Sequence, residues 1–409
     1  MLRWSTIKVL VIGLGRMGQA VLRDLVESDE VTEIVAADIH IETLKDYVDK
    51  LREIDERAEK IEPIRIDATD RDQLRDVLKR GFDVVSDCLL WTYTPLVTKV
   101  CVDAGTSHVD LSSDLSAQEI HELDKTAKDT GVTIIPDCGQ DPGIDNVVEG
   151  YAARKLDKVK KIHMYIADGI PQKGTPAYYN PLQYTAIWTV KGIISELAGK
   201  TEILMGGKEV EVDKLAEPET LIFPEPIGEV EAWYSKYPKT LIETLGLKDV
   251  EEAWDKTVRW PGWCETWRKL IALNLISTEP MTIKSAKLTP LEFFTKLFEK
   301  YLKPDFDAGD RDLVIEKIEV TGEKDGVDMK YSYLLTAFYD EDKDLAAFQR
   351  TTCYPISIVS QMIGRGDIKE KGVIHCGKIG WNTEHAKKFF AELAKRGLII
   401  NESVTTPLL

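Results

Sequence analysis

With 409 residues, 43% of them hydrophobic and 30% charged, the chain exceeds one ordinary core and predicts a globular protein of two domains sharing a cleft. Its longest apolar runs, such as 8–14 and 398–400, fall far short of the roughly 20 residues that cross a bilayer, so no membrane partner is expected. A net charge of −17 excludes the clustered cationic surface that nucleic-acid binding requires.

The opening residues Met1-Leu2-Arg3-Trp4-Ser5 lead into a strand without a separate apolar segment or small-residue cleavage site, which predicts a cytoplasmic protein. Six scattered cysteines with no CxxC pair and no histidine at ligand spacing suggest neither a disulfide framework nor a metal site. From Ile7 to about Pro136, short apolar runs alternate with helical patterns, the rhythm of βαβ units around a parallel sheet. Strands are predicted near 7–12, 33–37, 64–66, 83–86, 108–111 and 133–135.

Directly after the first strand stands Gly13-Leu14-Gly15-Arg16-Met17-Gly18, a GxGxxG that opens a helix whose apolar face is Met17, Ala20, Val21 and Leu25. In such a turn the first glycine makes the bend, the second lets the backbone approach a diphosphate, and the third lets helix and strand close together. The helix N-terminus adds amide donors and a positive dipole end. Asp38 ends the second strand 20 residues after Gly18, where a carboxylate binds ribose hydroxyls. Ile39 and His40 follow it without a cation for a 2′-phosphate, so NAD is expected rather than NADP. The turn from Asp67 to Asp70 either flanks the adenine or is a plain polar turn.

Past the sixth strand, Asp137 and Asp141 lie at the carboxyl edge where open α/β sheets bind ligands. Each is a candidate base, Asp141 first, against the alternative that an Asp before Pro-Gly only bonds its own turn. After Pro142-Gly143 the composition changes to Gly/Pro-rich loops at 168–181 and 218–228, most of the tryptophans, and predicted strands at 161–167, 314–321 and 330–339. The expectation is an α/β protein: a Rossmann-type parallel-sheet domain over 1–141 and 345–409, and an α+β substrate domain over 142–344 with a largely antiparallel sheet. Arg259, beside Trp260, Trp263 and Trp267, suits a carboxylate because its guanidinium is planar and permanently charged; otherwise it pairs with an acidic neighbour and the tryptophans are core. A last helix capped by Asn382 and ended by Gly397 carries Ala386, Phe389, Phe390, Leu393 and Ala394 on its apolar stripe.

Several stretches resemble, in order along the chain, the saccharopine dehydrogenase family: His108-Val109-Asp110-Leu111-Ser112-Ser113, Gly139-Gln140-Asp141-Pro142-Gly143-Ile144-Asp145-Asn146, Asp168-Gly169-Ile170-Pro171, Asn180-Pro181-Leu182-Gln183-Tyr184 with Trp188, Thr257-Val258-Arg259-Trp260-Pro261-Gly262, and Arg350-Thr351-Thr352-Cys353-Tyr354-Pro355. The resemblance implies an NAD-dependent oxidoreductase that moves hydride from the carbon of a C–N bond in a lysine-derived amino acid, through an imine that is hydrolysed. It implies Asp141 in proton transfer, Tyr184 and Trp188 lining the substrate site, and a homodimer; Asp168, read from its own charge and not from the family, is a candidate partner for a substrate ammonium. Saccharopine is the first expected substrate; free lysine, as in lysine 6-dehydrogenases, or a polyamine- or opine-type amine is the alternative. The chain departs from the family at Ala167, where a Cys is frequent, at Asp168, where a Gly is, and at Asn146, where a His is. A non-catalytic NAD-binding redox sensor and a non-redox use of bound NAD, as in homospermidine synthase, remain as rival readings.

Overall fold

A computed structural model describes residues 6–186 and 190–407. The first stretch alternates β1 (Ile7–Ile12), α1 (Arg16–Glu27), β2 (Val31–Asp38), α2 (Ile41–Ile54), β3 (Ile61–Arg65), α3 (Arg71–Leu78), β4 (Val84–Asp87), α4 (Thr94–Ala104), β5 (Ser107–Asp110), α5 (Ala117–Thr130), β6 (Thr133–Ile135) and α6 (Ile144–Arg154). The middle stretch follows with β7 (Lys158–Pro171), α7 (Val190–Leu197), β8 (Lys200–Met205), β9 (Lys208–Asp213), β10 (Glu219–Phe223), β11 (Gly228–Lys236), α8 (Lys239–Leu245), β12 (Glu252–Arg259), α9 (Trp263–Ala272), β13 (Met281–Ile283), β14 (Ala286–Leu288), α10 (Pro290–Leu302), β15 (Asp312–Lys324) and β16 (Val327–Phe338). The chain ends with α11 (Ala347–Gly364), β17 (Gly372–Val373), α12 (Cys376–Trp381), α13 (Thr383–Lys395) and β18 (Ile400–Thr405).

Two compact units result, residues 1–155 with 349–399 and residues 156–348 with 400–409. The first holds a seven-stranded sheet in the order β17-β6-β5-β4-β1-β2-β3, parallel at every pairing. This is the α/β Rossmann-type arrangement, and its order reverses between β1 and β4, the point where such sheets bind ligands. Leu10, Ile12, Val35, Ala37 and Val85 fill one face with residues from α3 and α4. Strands buried on both faces read as continuous apolar runs, which is why this half is plain in the sequence.

The second unit is built on a nine-stranded sheet, β10-β11-β12-β7-β15-β16-β18 with β8 and β9 beside it. Only the β12–β7 pair is parallel, and the rest are antiparallel. Its core is aromatic, with Trp233, Trp254, Trp260, Trp263 and Trp267 all buried.

The unit boundaries differ from the sequence expectation at both ends of the second domain. Helix α6 belongs to the first unit, where Gly150 meets α12 so closely that a Cβ there would lie 2.1 Å from the Gly377 carbonyl oxygen. Residues 400–409 belong to the second unit, because β18 pairs antiparallel with β16; its side chains past Ile400 are exposed, so no apolar alternation marks it as a strand. The expected loops at 168–181 and 218–228 also contain the end of β7 and all of β10.

Candidate functional site

In the first unit the glycine turn joins β1 to α1. Gly13 has φ +87 and donates its N–H to the Ala37 carbonyl at 3.0 Å, and a side chain there would press on Leu89 at 2.9 Å. Gly18 is more constrained, since its Cβ would fall 1.9 Å from the Gly13 carbonyl oxygen. Gly15 caps α1 and faces open space. Arg16 and Met17 form the first turn of α1 and are fixed through their carbonyls, which accept from Gln349 Nε2 at 3.1 Å and from the Cys353 thiol at 3.3 Å.

Asp38, at the end of β2, spans this turn: one carboxylate oxygen accepts the Leu14 N–H at 2.7 Å and the other the His40 N–H at 2.8 Å. Each oxygen keeps lone-pair capacity for a hydroxyl. The residues thus fit a dinucleotide: a side-chain-free bend, an uncapped helix N-terminus and a carboxylate beside it. Strand pairing corrects one expectation here. No cation follows Asp38 in sequence, yet Arg65, the last residue of β3, is its register partner and is exposed. Asp67 accepts from Thr69 N–H at 2.9 Å and Thr69 hydroxyl at 2.7 Å, which lowers its pKa, the hydroxyl hydrogen bond first. That is the local geometry of a polar turn.

Asp137 and Asp141 lie in the segment between β6 and α6. Asp137 is a non-glycine residue at φ +56, and its carboxylate accepts the Ser113 N–H at 3.0 Å. Asp141 is half-buried in a tight loop where Gly139 N–H reaches the Pro142 carbonyl at 2.9 Å and Thr351 donates to Gln140 at 2.7 Å. Three further polar side chains, not chosen from the sequence as site residues, stand next to this segment: Asp87, His108 and Asp110, all with no exposed surface.

In the second unit the motif from Asn180 to Tyr184 has a mechanical reason. The Asn180 side chain accepts from the Leu182 and Tyr184 N–H groups and donates to the Tyr184 carbonyl at 2.7 Å, which turns the Tyr184 ring inward to full burial. There it meets Arg259, the last residue of β12. The guanidinium carbon lies 4.9 Å from the Tyr184 ring and 5.8 Å from the rings of Trp233 and Trp263. Sequence spacing did not bring Trp233 to this cluster; it reaches Arg259 because β11 pairs with β12.

Arg259 is 4% exposed. Its Nη1 donates to the Val258 carbonyl at 2.8 Å, and its Nε has no partner among the described residues. Its cross-strand partner Glu231 forms no ion pair with it among the described residues; that carboxylate accepts the Gly262 and Cys264 amides at the start of α9, at 3.0 and 2.5 Å. The indole N–H of Trp263 likewise lacks an acceptor among the described residues. A buried cation is costly without a counter-charge, and the residues of this cage fit an anion.

The neighbouring tryptophans divide their roles. Trp260 donates to the Pro171 carbonyl at 2.9 Å, and Trp267 packs against Phe294 and Phe298, so both are core. Asp168 is half-buried in β7 at a bulge against β15, next to Gly169 at φ +59. Trp188 lies outside the described residues.

Among the described residues no helix is long and apolar enough to cross a membrane. In sequence, the saccharopine dehydrogenase NADP binding domain matches residues 9–135 and the saccharopine dehydrogenase C-terminal domain matches residues 139–398. Alpha-aminoadipic semialdehyde synthase of Bos taurus is 24% identical over 291 residues, covering 69% of this chain and 30% of the bovine protein. The NADP(+), L-glutamate-forming saccharopine dehydrogenase of Saccharomyces cerevisiae is 24% identical over 288 residues, 68% of this chain and 60% of the yeast protein. The chain therefore spans less than two thirds of the length of these relatives. The solved apo histidine-tagged saccharopine dehydrogenase (L-Glu forming) from Saccharomyces cerevisiae shares the fold, with a TM-score of 0.82 at 19% identity over 98% of this chain and 100% of that one. With matches running through both units, the chain belongs to the saccharopine dehydrogenase family.

Proposed function

We propose that the chain is a dinucleotide-dependent oxidoreductase that oxidises the C–N bond of a lysine-derived amino acid, saccharopine first. The observation that carries this reading is Arg259, a buried guanidinium in a cage of three aromatic rings with no carboxylate paired to it among the described residues. An amino-acid carboxylate supplies the missing charge in the planar, two-oxygen form a guanidinium binds best.

A bound nicotinamide dinucleotide supplies the two-electron acceptor. The protein's own groups handle binding and protons. Arg259 anchors the substrate carboxylate, Tyr184 and Trp263 keep water from that contact, and Asp168 faces an ammonium. Loss of hydride from carbon requires the nitrogen lone pair, so the amine must first be free of its ammonium proton. Asp141, with Asp137 second, takes that proton and passes it to solvent, then takes a proton from the water that adds to the iminium carbon and returns it to the nitrogen as the new hydroxyl loses its proton to solvent. The C–N bond breaks, leaving a primary amine and a carbonyl. Ala167 has no titratable proton, so a family role for a Cys at that position has no counterpart here.

The choice between NAD and NADP rests with two neighbours. The Asp38 carboxylate repels a 2′-phosphate and favours NAD, whereas Arg65 beside it, together with the NADP(+) in the yeast relative's name, favours NADP. The test is to mix the purified chain with NAD or NADP and with saccharopine, lysine or a polyamine, and to follow absorbance of the reduced dinucleotide. Reduction with saccharopine is expected. Dinucleotide binding without turnover on any amine overturns the enzymatic reading in favour of a redox sensor.

A further inference from the structure

At the carboxyl ends of β4 and β5 three ionisable side chains are sealed together. Asp87, His108 and Asp110 each have 0% exposure. His108 Nε2 lies 3.2 Å from Asp87 Oδ2, and its Nδ1 lies 3.7 Å from Asp110 Oδ2. The other Asp87 oxygen accepts the Leu89 N–H at 2.9 Å. The other Asp110 oxygen accepts the backbone N–H of Asp137 at 2.9 Å. Among the described residues no lysine or arginine forms an ion pair with either carboxylate. The remaining ionisable groups against them are the thiols of Cys88 and Cys101 and the carboxylate of Asp137.

Two carboxylates buried this way with a third beside them cannot all stay ionised without a nearby positive charge. The imidazole between them supplies the means. With one proton on Nε2, bonded to Asp87, a second proton belongs to His108 Nδ1 and Asp110 Oδ2, 3.7 Å apart, the two atoms of the group with no hydrogen-bond partner among the described residues. At rest the proton sits on Asp110, next to a neutral imidazole, and it can pass to Nδ1, leaving Asp110 ionised. Both forms carry the same net charge of one negative unit and the same two protons, so moving between them costs no change in total charge.

We propose that Asp87, His108 and Asp110 are a buried two-proton relay that holds the Asp137 turn in place and sets the protonation of its carboxylate. Asp110 accepts the Asp137 amide while the Ser113 amide holds its carboxylate, and the two bonds fix a left-handed backbone that is uncommon for a non-glycine residue. Burial pushes the Asp110 carboxyl well above its ordinary value, with Asp137 and Asp87 adding to the shift, in keeping with a held proton. The three are positioning residues, and the inference rests on the reading of Asp137 as a base in amine oxidation.

Two measurements on the full chain test it. Infrared spectra at neutral pH should show the carbonyl band of a protonated, buried carboxylic acid that disappears in Asp110→Asn; absence of the band, or its persistence in that variant, overturns the relay whether or not the chain oxidises saccharopine. In kinetics, Asp110→Asn keeps an acceptor for the Asp137 amide but holds no acidic proton, so kcat should fall roughly 10²-fold and the pH profile should change shape, with dinucleotide Kd within about twofold. His108→Asn should do the same; if it does not fold, Asp110→Asn alone decides. Unchanged kcat and pH profile in Asp110→Asn would make the cluster purely structural.

Discussion

Arg259 has exchanged water for three aromatic faces and one backbone carbonyl, an exchange that leaves most of its five donors unused among the described residues. Replacing it with Met keeps much of the side-chain volume and removes the charge. On the reading above, Arg259→Met should raise KM for saccharopine roughly 10- to 100-fold, the worth of a hydrogen bond to a charged group, while dinucleotide Kd stays within about twofold. Arg259→Lys should recover only part of the loss, because an ammonium cannot present the two parallel donors; steady-state kinetics on both variants checks this. The dinucleotide has its own residue-scale test at Asp38 and Arg65. Calorimetric titration of Asp38→Ala should show NAD binding weakened about tenfold, with the NADP-to-NAD affinity ratio raised. In Arg65→Ala the ratio should fall. If neither variant moves the ratio, the ribose lies elsewhere.

Helix ends carry the clearest prediction at the scale of elements. His375 caps α12, where its Nδ1 accepts the Gly377 N–H at 3.0 Å, a bond that needs an unprotonated nitrogen. Burial lowers its pKa from 6.5 to about 4, with Lys378 contributing. Above pH 6.5 neither the folded nor the unfolded chain protonates this ring and there is no penalty. As pH falls from 6.5 toward 4 the unfolded chain takes up a proton that the folded chain refuses, so stability is lost with acidification, by about 3 kcal/mol when complete. Carboxylates with lowered values, such as Asp367 and Glu392, stay ionised through most of that window. His375→Asn caps without titrating, so its urea midpoint should vary less between pH 7 and 5 than that of the unsubstituted chain. An equal dependence in both would assign the acid sensitivity to other groups.

His375 drew no role from the sequence because capping is decided by a neighbouring amide, not by a motif. The same limit applies to Arg65, Trp233 and Asp110, whose partners are set by strand register. What pattern can convey, it conveyed: β1 and the centre of β2 are apolar runs buried on both faces, and the glycine turn with Asp38 is a local signature. The strands Lys208–Asp213, Met281–Ile283 and Ile400–Thr405 are exposed over most of their length, so they carry no buried alternation to read. Tyr184 and Arg259, by contrast, lie 75 residues apart and were singled out separately; only the fold of the second unit shows that they touch.

For the molecule as a whole, the informative feature is that the chain leaves the first unit at Lys155, returns at Gln349 and leaves again after Ile399. The last strand is thus a contribution from the end of the chain to a sheet begun about 240 residues earlier. Residues Ile400 to Thr405 pair one for one with Leu335 to Lys330 of β16, and each such pair is worth roughly 0.2–1 kcal/mol. Deleting 400–409 should therefore lower the stability of the second unit by a few kcal/mol and leave β16 as an open edge, a template for association between chains. The glycine turn, Asp38 and α13 are all formed by residues that remain. Thermal melts and light scattering should show a lower midpoint and concentration-dependent aggregation, while calorimetry finds dinucleotide affinity within about twofold of the full chain. Loss of dinucleotide binding at a temperature where the truncated chain is still folded would show that β18 supports the first unit as well, and the division of the chain after Ile399 would then have to be redrawn.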